Sequence, residues 1–348
     1  MKSSVVILNF NGKDYLEKFL PLVVRFSGNA EIVIADNGST DNSIPFLKNN
    51  FPNVRLITFD KNYGFAQGYN LALKQIESDY YVLLNSDVEV TENWLLALEN
   101  YLDKNPKVVA LQPKIRSYDA PQMFEYAGAC GGFIDKYGYP FCRGRILQTL
   151  EADNGQYDQP VEVFWASGAC LMVRADEYWA VGGLDGRFFA HQEEIDLCWR
   201  LKARGKRIVC LPQSLVYHVG GGTLNTESPF KTYLNFRNNL FLLYKNMPAK
   251  QYYKTMFVRF FLDISTLLLF VLQGKRGNAN SVLRAIKDFR KQRKDFSASR
   301  KTNLALTTEV FPSGMFKSLI ILKYYLGKKR FSQMVRNGEQ WNQDFVSE

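Results

Sequence analysis

The 348-residue sequence predicts an α/β fold with a mostly parallel sheet flanked by helices. Short β-rich runs recur through the first hundred residues and alternate with helix-compatible segments, which is typical of parallel βαβ units. The four predicted strands are residues 5–9, 31–36, 54–59 and 80–85. A composition of 46% apolar and 22% charged residues is globular rather than disordered.

Turn and cap residues divide the rest of the chain. The Ser, Thr and Asp at positions 39–41 are all suited to begin a helix. The segment QEEIDLCWRLKARG predicts a helix that ends at Gly205, and KRIVCLPQSLVYHVGGG predicts a strand with His218 near its end. Residues 119–160 are irregular and rich in Gly, Tyr and Pro, which predicts a long excursion over the acceptor side of a site.

The positive charge of the chain is confined to its C-terminal part. Residues 1–245 hold 25 Lys and Arg against 27 Asp and Glu, whereas residues 246–348 hold 19 against 7. The apolar stretch 257–272 would span only about 24 Å as a helix, short of about 30 Å of hydrocarbon, and it contains Arg259 and Asp263. We therefore expect residues 246–348 to form a basic amphipathic helical extension that lies on a membrane surface or packs on the domain.

The cysteines and the N-terminal residues predict a reducing, cytoplasmic location. Five scattered cysteines with no CxxC spacing argue against a disulfide framework or a zinc site. The chain enters a strand almost at once, without a charged leader or cleavage site. We expect a cytoplasmic protein, peripherally associated with the inner face of the cell membrane through its extension.

Two predicted strands end in acidic residues. Asp36 follows an apolar run and precedes a Gly/Ser/Thr turn, and Asp87 follows Asn85 and Ser86 at the end of another run. In an open α/β sheet, ligands bind at the carboxyl ends of the strands. The pattern predicts a site that holds a nucleotide and a divalent cation bridging its phosphates.

Seven motifs, in order, carry a resemblance to a known family: VVILNFNG, IADNGSTDNS, NYGFAQGYN, LLNSDV, FWASGACLMVR, FFAHQEEIDLCWRL and VYHVGGGT. They resemble the inverting family 2 nucleotide-sugar glycosyltransferases with the GT-A fold, in particular the bacterial rhamnosyltransferase-like branch. The resemblance covers about residues 3–245. It implies a GT-A domain over residues 1–245, with a donor half at 1–118 and an acceptor and catalytic-base half at 119–245.

The resemblance also implies roles for individual residues. The donor pocket would comprise Asn9, Asn11, Asp36, Asn62, Gly64, Gly68, Asn85, Ser86 and Arg237. The sugar or acceptor pocket would comprise Trp165, Ser167 and Gly168. Asp87 and His218 would hold Mg²⁺ or Mn²⁺. Asn85 stands where the wider family usually has Asp, and an amide is a weaker ligand for a hard cation than a carboxylate.

The catalytic base is expected in HQEEIDLCW. The resemblance makes Glu194 the general base, but the usual residue is Asp, so Glu193 stays open as well. Acids in a first helical turn are favoured by the helix dipole whatever their function. The base would take the proton from an acceptor hydroxyl in a single displacement that inverts the anomeric carbon.

The expected function is transfer of a sugar to a lipid-linked or cell-surface glycan, with dTDP-L-rhamnose the leading donor and UDP- or GDP-sugars behind it. One alternative is an inactive nucleotide-sugar-binding scaffold. Another is a nucleic-acid binder that uses the basic tail, although the apolar runs in the tail favour lipid over nucleic acid. The absence of GxGxxG after a strand and of GxxxxGK[ST] disfavours dinucleotide oxidoreductases and NTPases. A homodimer is left open.

Overall fold

The computed structural model describes residues 1–220 and 228–335. The strands are β1 Ser3–Asn9, β2 Glu31–Asp36, β3 Arg55–Thr58, β4 Tyr80–Leu84, β5 Val88–Val90, β6 Val108–Ser117, β7 Gly132–Asp135, β8 Pro140–Cys142, β9 Arg145–Ile146, β10 Thr149–Leu150, β11 Val161–Glu162, β12 Cys170–Arg174, β13 Arg207–His218 and β14 Met315–Phe316. The helices are α1 Lys13–Phe26, α2 Ser43–Asn50, α3 Gly64–Leu73, α4 Trp94–Lys104, α5 Ala175–Ala180, α6 Glu193–Ala203, α7 Pro229–Asn246, α8 Ala249–Leu272, α9 Arg276–Gln292, α10 Ser297–Ala305, α11 Ile320–Tyr325 and α12 Phe331–Val335.

One mixed sheet lies at the centre, with the strand order β11-β13-β6-β12-β4-β1-β2-β3. β1 pairs in parallel with β2 and β4, and β2 pairs in parallel with β3. β12 runs antiparallel between β4 and β6, so it joins the first hundred residues to the later ones. The α/β prediction is confirmed. The strands predicted in the first hundred residues pair in parallel, and β13 and β6 form a further parallel pair in the same sheet.

The sheet is covered on both faces, as the near-continuous apolar strands require. In β1, Val5 and Ile7 belong to a core formed with α1 and α4, and Val6 belongs to a second core formed with α3. All three side chains are almost completely buried. Because the side chains of a strand alternate between the two faces, this pattern fixes the register of β1 against both helix layers.

Residues 119–160 form a small sheet rather than an irregular excursion. Its strand order is β10-β9-β8-β7-β14, and its last strand comes from the tail and pairs in parallel with β7. Further along the tail, Phe331 packs on Phe133, with ring centroids 5.0 Å apart. The backbone N–H of Phe331 also donates to Glu151 Oε1 at 3.0 Å. The described part of the tail beyond residue 314 therefore contacts the small sheet.

Helix α8 is longer than the apolar run that predicted it. It begins at Ala249 and has 24 residues, which corresponds to about 36 Å, so the argument from a length of about 24 Å is corrected. Among the described residues, α8 is the one helix long and apolar enough, by length and composition alone, to cross a membrane. Its mean hydropathy over 18 residues is 1.9, and little of that window is buried.

Candidate functional site

Asp36 ends β2 and is fully buried at the carboxyl edge of the sheet. Asn9 donates to its Oδ2 and the backbone N–H of Ser39 donates to its Oδ1, both at 2.9 Å. The Oδ1 atom of Asn9 is buried and has no hydrogen-bond partner. A Cβ at Gly12 would lie 2.5 Å from that oxygen and 3.3 Å from Ser86 Oγ, so the residue type keeps this corner open. A ligand N–H could satisfy the orphan acceptor.

Asn11 orders the turn that follows Asp36. It has a left-handed backbone conformation with φ 52°. Its Oδ1 accepts from the backbone N–H of Thr40 at 2.8 Å, and its own backbone N–H donates to Ser39 Oγ at 2.9 Å. Asn11 thus stabilises the loop beside the buried carboxylate.

A second wall is built by Asn37 and Asn62. Asn37 Nδ2 donates to Asn62 Oδ1 at 3.0 Å, and the N–H of Gly64 donates to the same oxygen at 2.8 Å. Gly64 has φ +77°, and a Cβ there would lie 2.5 Å from the ring of Phe189. A Cβ at Gly68 would lie 2.9 Å from Leu8 in the sheet. Sequence reasoning missed Asn37, although its position directly after Asp36 could have indicated it.

Asp87 and His218 lie side by side. Asp87 Oδ1 is 3.2 Å from His218 Nε2, and both residues are buried. On the other side of the ring, Glu125 Oε1 is 3.4 Å from His218 Nδ1. Burial alone would lower the pKa of His218, but the charge of Glu125 and the hydrogen bond to Asp87 outweigh it and raise the pKa to about 10. Glu125 was not predicted, because its acid stands in the irregular segment without a motif.

The pair can supply two adjacent ligands to a cation. Ligands at about 2.1 Å on neighbouring corners of an octahedron are about 3 Å apart, close to the distance between Asp87 and His218. The described residues contain no group of three or more His, Cys, Asp or Glu side chains arranged to hold a metal ion. Asp87 and His218 are therefore two side chains whose spacing fits adjacent ligands of a cation.

A cavity of about 230 Å³ opens beside this pair. Glu125, Tyr126, His218 and Lys231 contribute its polar lining, together with Phe124 and Leu150 among its apolar residues. Burial lowers the pKa of Lys231 against the opposing effect of Glu125. The cavity thus presents a positive and a negative group to a polar ligand.

The segment predicted for the sugar or acceptor pocket divides into two parts. A Cβ at Gly168 would lie 3.4 Å from the ring of Phe65 and 3.9 Å from Glu194 Cβ, so this glycine borders the expected base. Ser167 is buried, and its hydroxyl donates to the carbonyl of Ala127. Trp165 lies in the core instead of at a cavity surface, because its ring covers Gly132 and its Nε1 donates to Phe133 O at 2.8 Å.

Glu193 and Glu194 begin α6. The Oε2 atoms of both are buried and have no hydrogen-bond partner. Burial raises the pKa of Glu194 to about 7, and burial together with the charge of Glu194 raises the pKa of Glu193 well above its usual value. A carboxylate with a pKa near 7 can accept a proton at physiological pH.

Arg237 is directed at the backbone of the loop before α6. Its Nη2 donates to Phe188 O at 2.9 Å and to Asn238 Oδ1 at 2.8 Å. The guanidinium also lies 5.3 Å from the ring centroid of Tyr233. The structure therefore places Arg237 in support of this loop, and shows no contact of its side chain with Asp36 or Asp87.

Contacts connect these groups into one region at the sheet edge. The N–H of Asn85 donates to Ala169 O at 3.0 Å, which sets the strand end before Asp87 beside Gly168. Phe189 O accepts from the N–H of Phe65 at 2.7 Å, which joins the loop before Glu194 to the second wall. The predicted donor, metal and base residues are thus neighbours, with Trp165 and Arg237 set back from them.

This edge, with buried acids at the ends of parallel strands beside a carboxylate-bearing helix, defines an α/β transferase of GT-A type. Known structures agree. S. aureus TarS 1–349 in complex with UDP-GlcNAc superposes with a TM-score of 0.55 at 15% identity over 88% of this chain and 89% of that one. GalNAc-T7 with UDP, GalNAc and Mn²⁺ gives 0.55 at 15% identity over 72% and 48%.

Residues 4–163 match the family described as glycosyl transferase family 2. The chain is 28% identical over 229 residues to the N-acetylglucosaminyl-diphospho-decaprenol L-rhamnosyltransferase of Mycobacterium tuberculosis, covering 62% of this chain and 75% of that protein. Residues 4–163 therefore have the sequence of a glycosyl transferase family 2 domain, and the relatives of the chain are glycosyltransferases. The resemblance found in the sequence is confirmed.

Proposed function

We propose that this protein catalyses a cation-assisted, inverting transfer of a sugar from a nucleoside-diphosphate sugar to a lipid-linked or cell-surface glycan. L-Rhamnose from dTDP-L-rhamnose is the leading donor, because a relative named for L-rhamnosyl transfer to a decaprenol-linked acceptor aligns over 62% of the chain. The observation that carries the proposal is the pair of carboxylates at the start of α6, each with a buried Oε2 atom that has no hydrogen-bond partner. They lie at the same sheet edge as Asp87 and His218.

The donor binds where the strands end. The free acceptor on Asn9, beside Asp36, suits an N–H of a pyrimidine base. Asn62 and Gly64 form the opposite wall, and Asn85 and Ser86 lie between this corner and Asp87. Asp87 and His218 hold the cation. Mg²⁺ or Mn²⁺, when bound, neutralises charge on the departing diphosphate.

Glu194 acts as the general base. Its carboxylate takes the proton of the acceptor hydroxyl while the oxygen attacks the anomeric carbon, and the bond to the diphosphate oxygen breaks with its electron pair leaving on the nucleoside diphosphate. Attack from the face opposite the leaving group inverts the configuration. Glu193 is the second candidate, but its greater burial and raised pKa favour its protonated form.

The acceptor approaches through the cavity beside His218. Its lining combines Lys231, which can face a phosphate group of a lipid-linked acceptor, with Tyr126 and Glu125, which can bind sugar hydroxyls. This assignment gives the region around residues 119–160 its role on the acceptor side.

Helix α8 attaches the enzyme to the membrane surface. The residues that it buries are polar, namely Tyr252, Thr255, Arg259 and Asp263. The large apolar side chains point outward, and the most exposed are Tyr253, Phe257, Phe260, Phe261, Leu268, Leu269, Val271 and Leu272. A helix in water buries its apolar face, so this inversion fits a lipid surface, and the +12 charge of residues 246–348 matches anionic lipids.

A transfer assay tests the chemistry. The full chain is incubated with Mn²⁺, a soluble analogue of a lipid-linked acceptor, and dTDP-L-rhamnose, UDP- or GDP-sugars in turn. We expect acceptor-dependent release of nucleoside diphosphate and an inverted linkage by NMR. Glu194→Gln should reduce the rate to a low residual level, and the exposed Glu92→Gln control should retain the parental rate. Donor binding without turnover would instead support the inactive scaffold.

Vesicle sedimentation tests the attachment. Phe260→Ser with Phe261→Ser removes two rings that are 53% and 55% exposed, whereas Leu96→Ser removes a side chain 52% exposed on α4. We expect the double variant to lose binding to phosphatidylglycerol-containing vesicles several-fold while keeping transfer to the soluble acceptor, and the control to bind normally. Equal binding by all three proteins would contradict the proposal, and salt-sensitive binding to DNA alone would favour a nucleic-acid partner.

A further inference from the structure

The loop before the catalytic helix has an unusual backbone. Phe189, His191 and Gln192 have φ values of 68°, 69° and 69°, and none of them is glycine. Such conformations are unfavourable for residues other than glycine and persist only where the surroundings impose them. Because Gln192 immediately precedes Glu193, the conformation of this loop sets the direction in which α6 presents its acids.

One buried side chain contacts most of the loop backbone. Asn238 on α7 is completely buried. Its Nδ2 lies 3.0 Å from Phe188 O, 2.8 Å from Ala190 O and 2.8 Å from His191 O. Its Oδ1 accepts from Arg237 Nε at 3.0 Å, so the amide is held in one orientation.

The next residue holds the end of the loop. Asn239 Nδ2 donates to Gln192 Oε1 at 2.9 Å and to Gly138 O at 2.7 Å. Its Oδ1 accepts from Arg259 on α8, which is itself paired with Asp263 at 3.1 Å. Both amides are therefore oriented by a guanidinium group, the partly exposed one of Arg237 for Asn238 and the buried one of Arg259 for Asn239.

General packing of α7 on α6 does not require these contacts. Lys245 and Asn246, two turns further along α7, bind Asp196 on α6 at 2.8 Å and 2.9 Å. The amides of Asn238 and Asn239 are directed at the loop carbonyls and at Gln192, and not at the body of α6. These contacts therefore hold the loop that precedes α6 in its backbone conformation.

We propose that Asn238 and Asn239 are positioning residues that hold residues 188–192, with positive φ at Phe189, His191 and Gln192, in one conformation and thereby aim the carboxylate of Glu194. The inference rests on the proposed function, since it names the residues through which the base acquires its position. A misplacement of about 1 Å in a reacting group can cost about a hundredfold in rate.

Asn238→Asp is the decisive variant, because it keeps the shape and the acceptor oxygen but removes both N–H donors. The matched control is Asn70→Ala: Asn70 is a buried asparagine on α3 that holds a different loop, donating to Leu184 O at 2.7 Å. We expect Asn238→Asp to lower kcat by about ten- to a hundredfold with little change in the donor KM. The control should lose thermal stability and keep its kcat below its Tm.

A double-mutant cycle separates positioning from stability. If Asn238 acts through Glu194, its substitution costs much less in a Glu194→Gln background than in the parent. Hydrogen exchange gives a readout that needs no turnover. The amides of residues 189–195 should exchange faster in Asn238→Asp and stay protected in Asn70→Ala.

Unchanged kcat and unchanged exchange in Asn238→Asp would overturn the positioning role, as would an equal loss in both backgrounds. Failure of the proposed function has a different signature. There, Glu194→Gln and Glu193→Gln would both retain parental transfer rates, or the parent would show no transfer at all, while the exchange experiment would still decide whether Asn238 holds the loop.

Discussion

The rate of transfer should depend on pH through Glu194. Its burial raises the pKa from the usual 4.5 to about 7. The carboxylate, which is the form that accepts a proton, is then about one tenth of the population at about pH 6 and about nine tenths at about pH 8. We therefore expect kcat/KM to rise roughly tenfold between these two pH values. An ordinary glutamate would already be ionised at both and would give no such rise.

Initial rates at low donor concentration, measured across this range, provide the assay. The measurement is repeated at two saturating Mn²⁺ concentrations. If metal binding causes the pH dependence of kcat/KM, the midpoint of the rise will shift with the Mn²⁺ concentration; if the base causes it, the midpoint will stay the same. Glu194→Gln should give a low and nearly flat profile. A parental profile that is flat from about pH 5.5 to about pH 8.5 would refute the assignment of the base.

The raised pKa of Glu194 also makes the stability of the fold depend on pH, and this can be measured without a transfer reaction. A carboxyl group whose pKa is raised in the fold binds more protons in the folded than in the unfolded state, so stability falls as the pH rises from 4.5 through about 7. Replacing Glu194 by the neutral isostere removes this loss. Denaturant unfolding should therefore show Glu194→Gln gaining on the parent at about pH 8 relative to about pH 5.

Three further substitutions test the structure around the site. Gly64→Ala places a methyl group 2.5 Å from the ring of Phe189, on a backbone with φ +77°, and should lower the free energy of unfolding in urea by about 2–4 kcal/mol. Gly182→Ala is the control: its φ is +88° and nothing lies within 4 Å, so it should show only the smaller cost of the backbone conformation. Asp263→Ala removes the ion-pair partner of the buried Arg259 and should lower the free energy of unfolding by about 3–5 kcal/mol. The exposed Glu17→Ala should lower it by less than about 0.5 kcal/mol. Equal effects of the two substitutions would contradict a stabilising buried pair. Asp87→Ala should weaken Mn²⁺ binding in the presence of nucleoside diphosphate at least tenfold by titration calorimetry, about the cost of one ligand, and unchanged affinity would remove it from the metal site.

Local sequence was sufficient for the donor side of the fold. Strand ends, turn residues and caps act over a few residues, so Asp36 and Asp87 could be placed at one sheet edge from the alternation of β and α segments alone. The helix that begins with Glu193 and the strand that ends with His218 were predicted correctly for the same reason, and α6 closes before Gly205 at φ +74°. The residues around Gly64 were placed at the sheet edge by the family resemblance.

Contacts between residues distant in the sequence determine the surroundings of Glu125 and Trp165 and the sheet within residues 119–160. Nothing near Glu125 in the chain shows that it faces His218, and Trp165 was assigned to a pocket because a motif does not reveal that Gly132 lies beneath its ring. Within residues 119–160, β7 to β10 pair with one another, and β14 of the tail adds a strand beside β7 from a distant part of the sequence.

The sequence by itself determined which residues can carry the chemistry, because residue type fixes charge and hydrogen-bonding capacity. The tertiary structure decided how that capacity is used. It buries the Oε2 atom of Glu194 without a hydrogen-bond partner, and burial raises the pKa of this residue to about 7. It also brings Asn238, which is distant in the sequence, against the backbone of the loop that precedes Glu193. Burial and long-range pairing depend on what the whole chain encloses, and no local pattern records them.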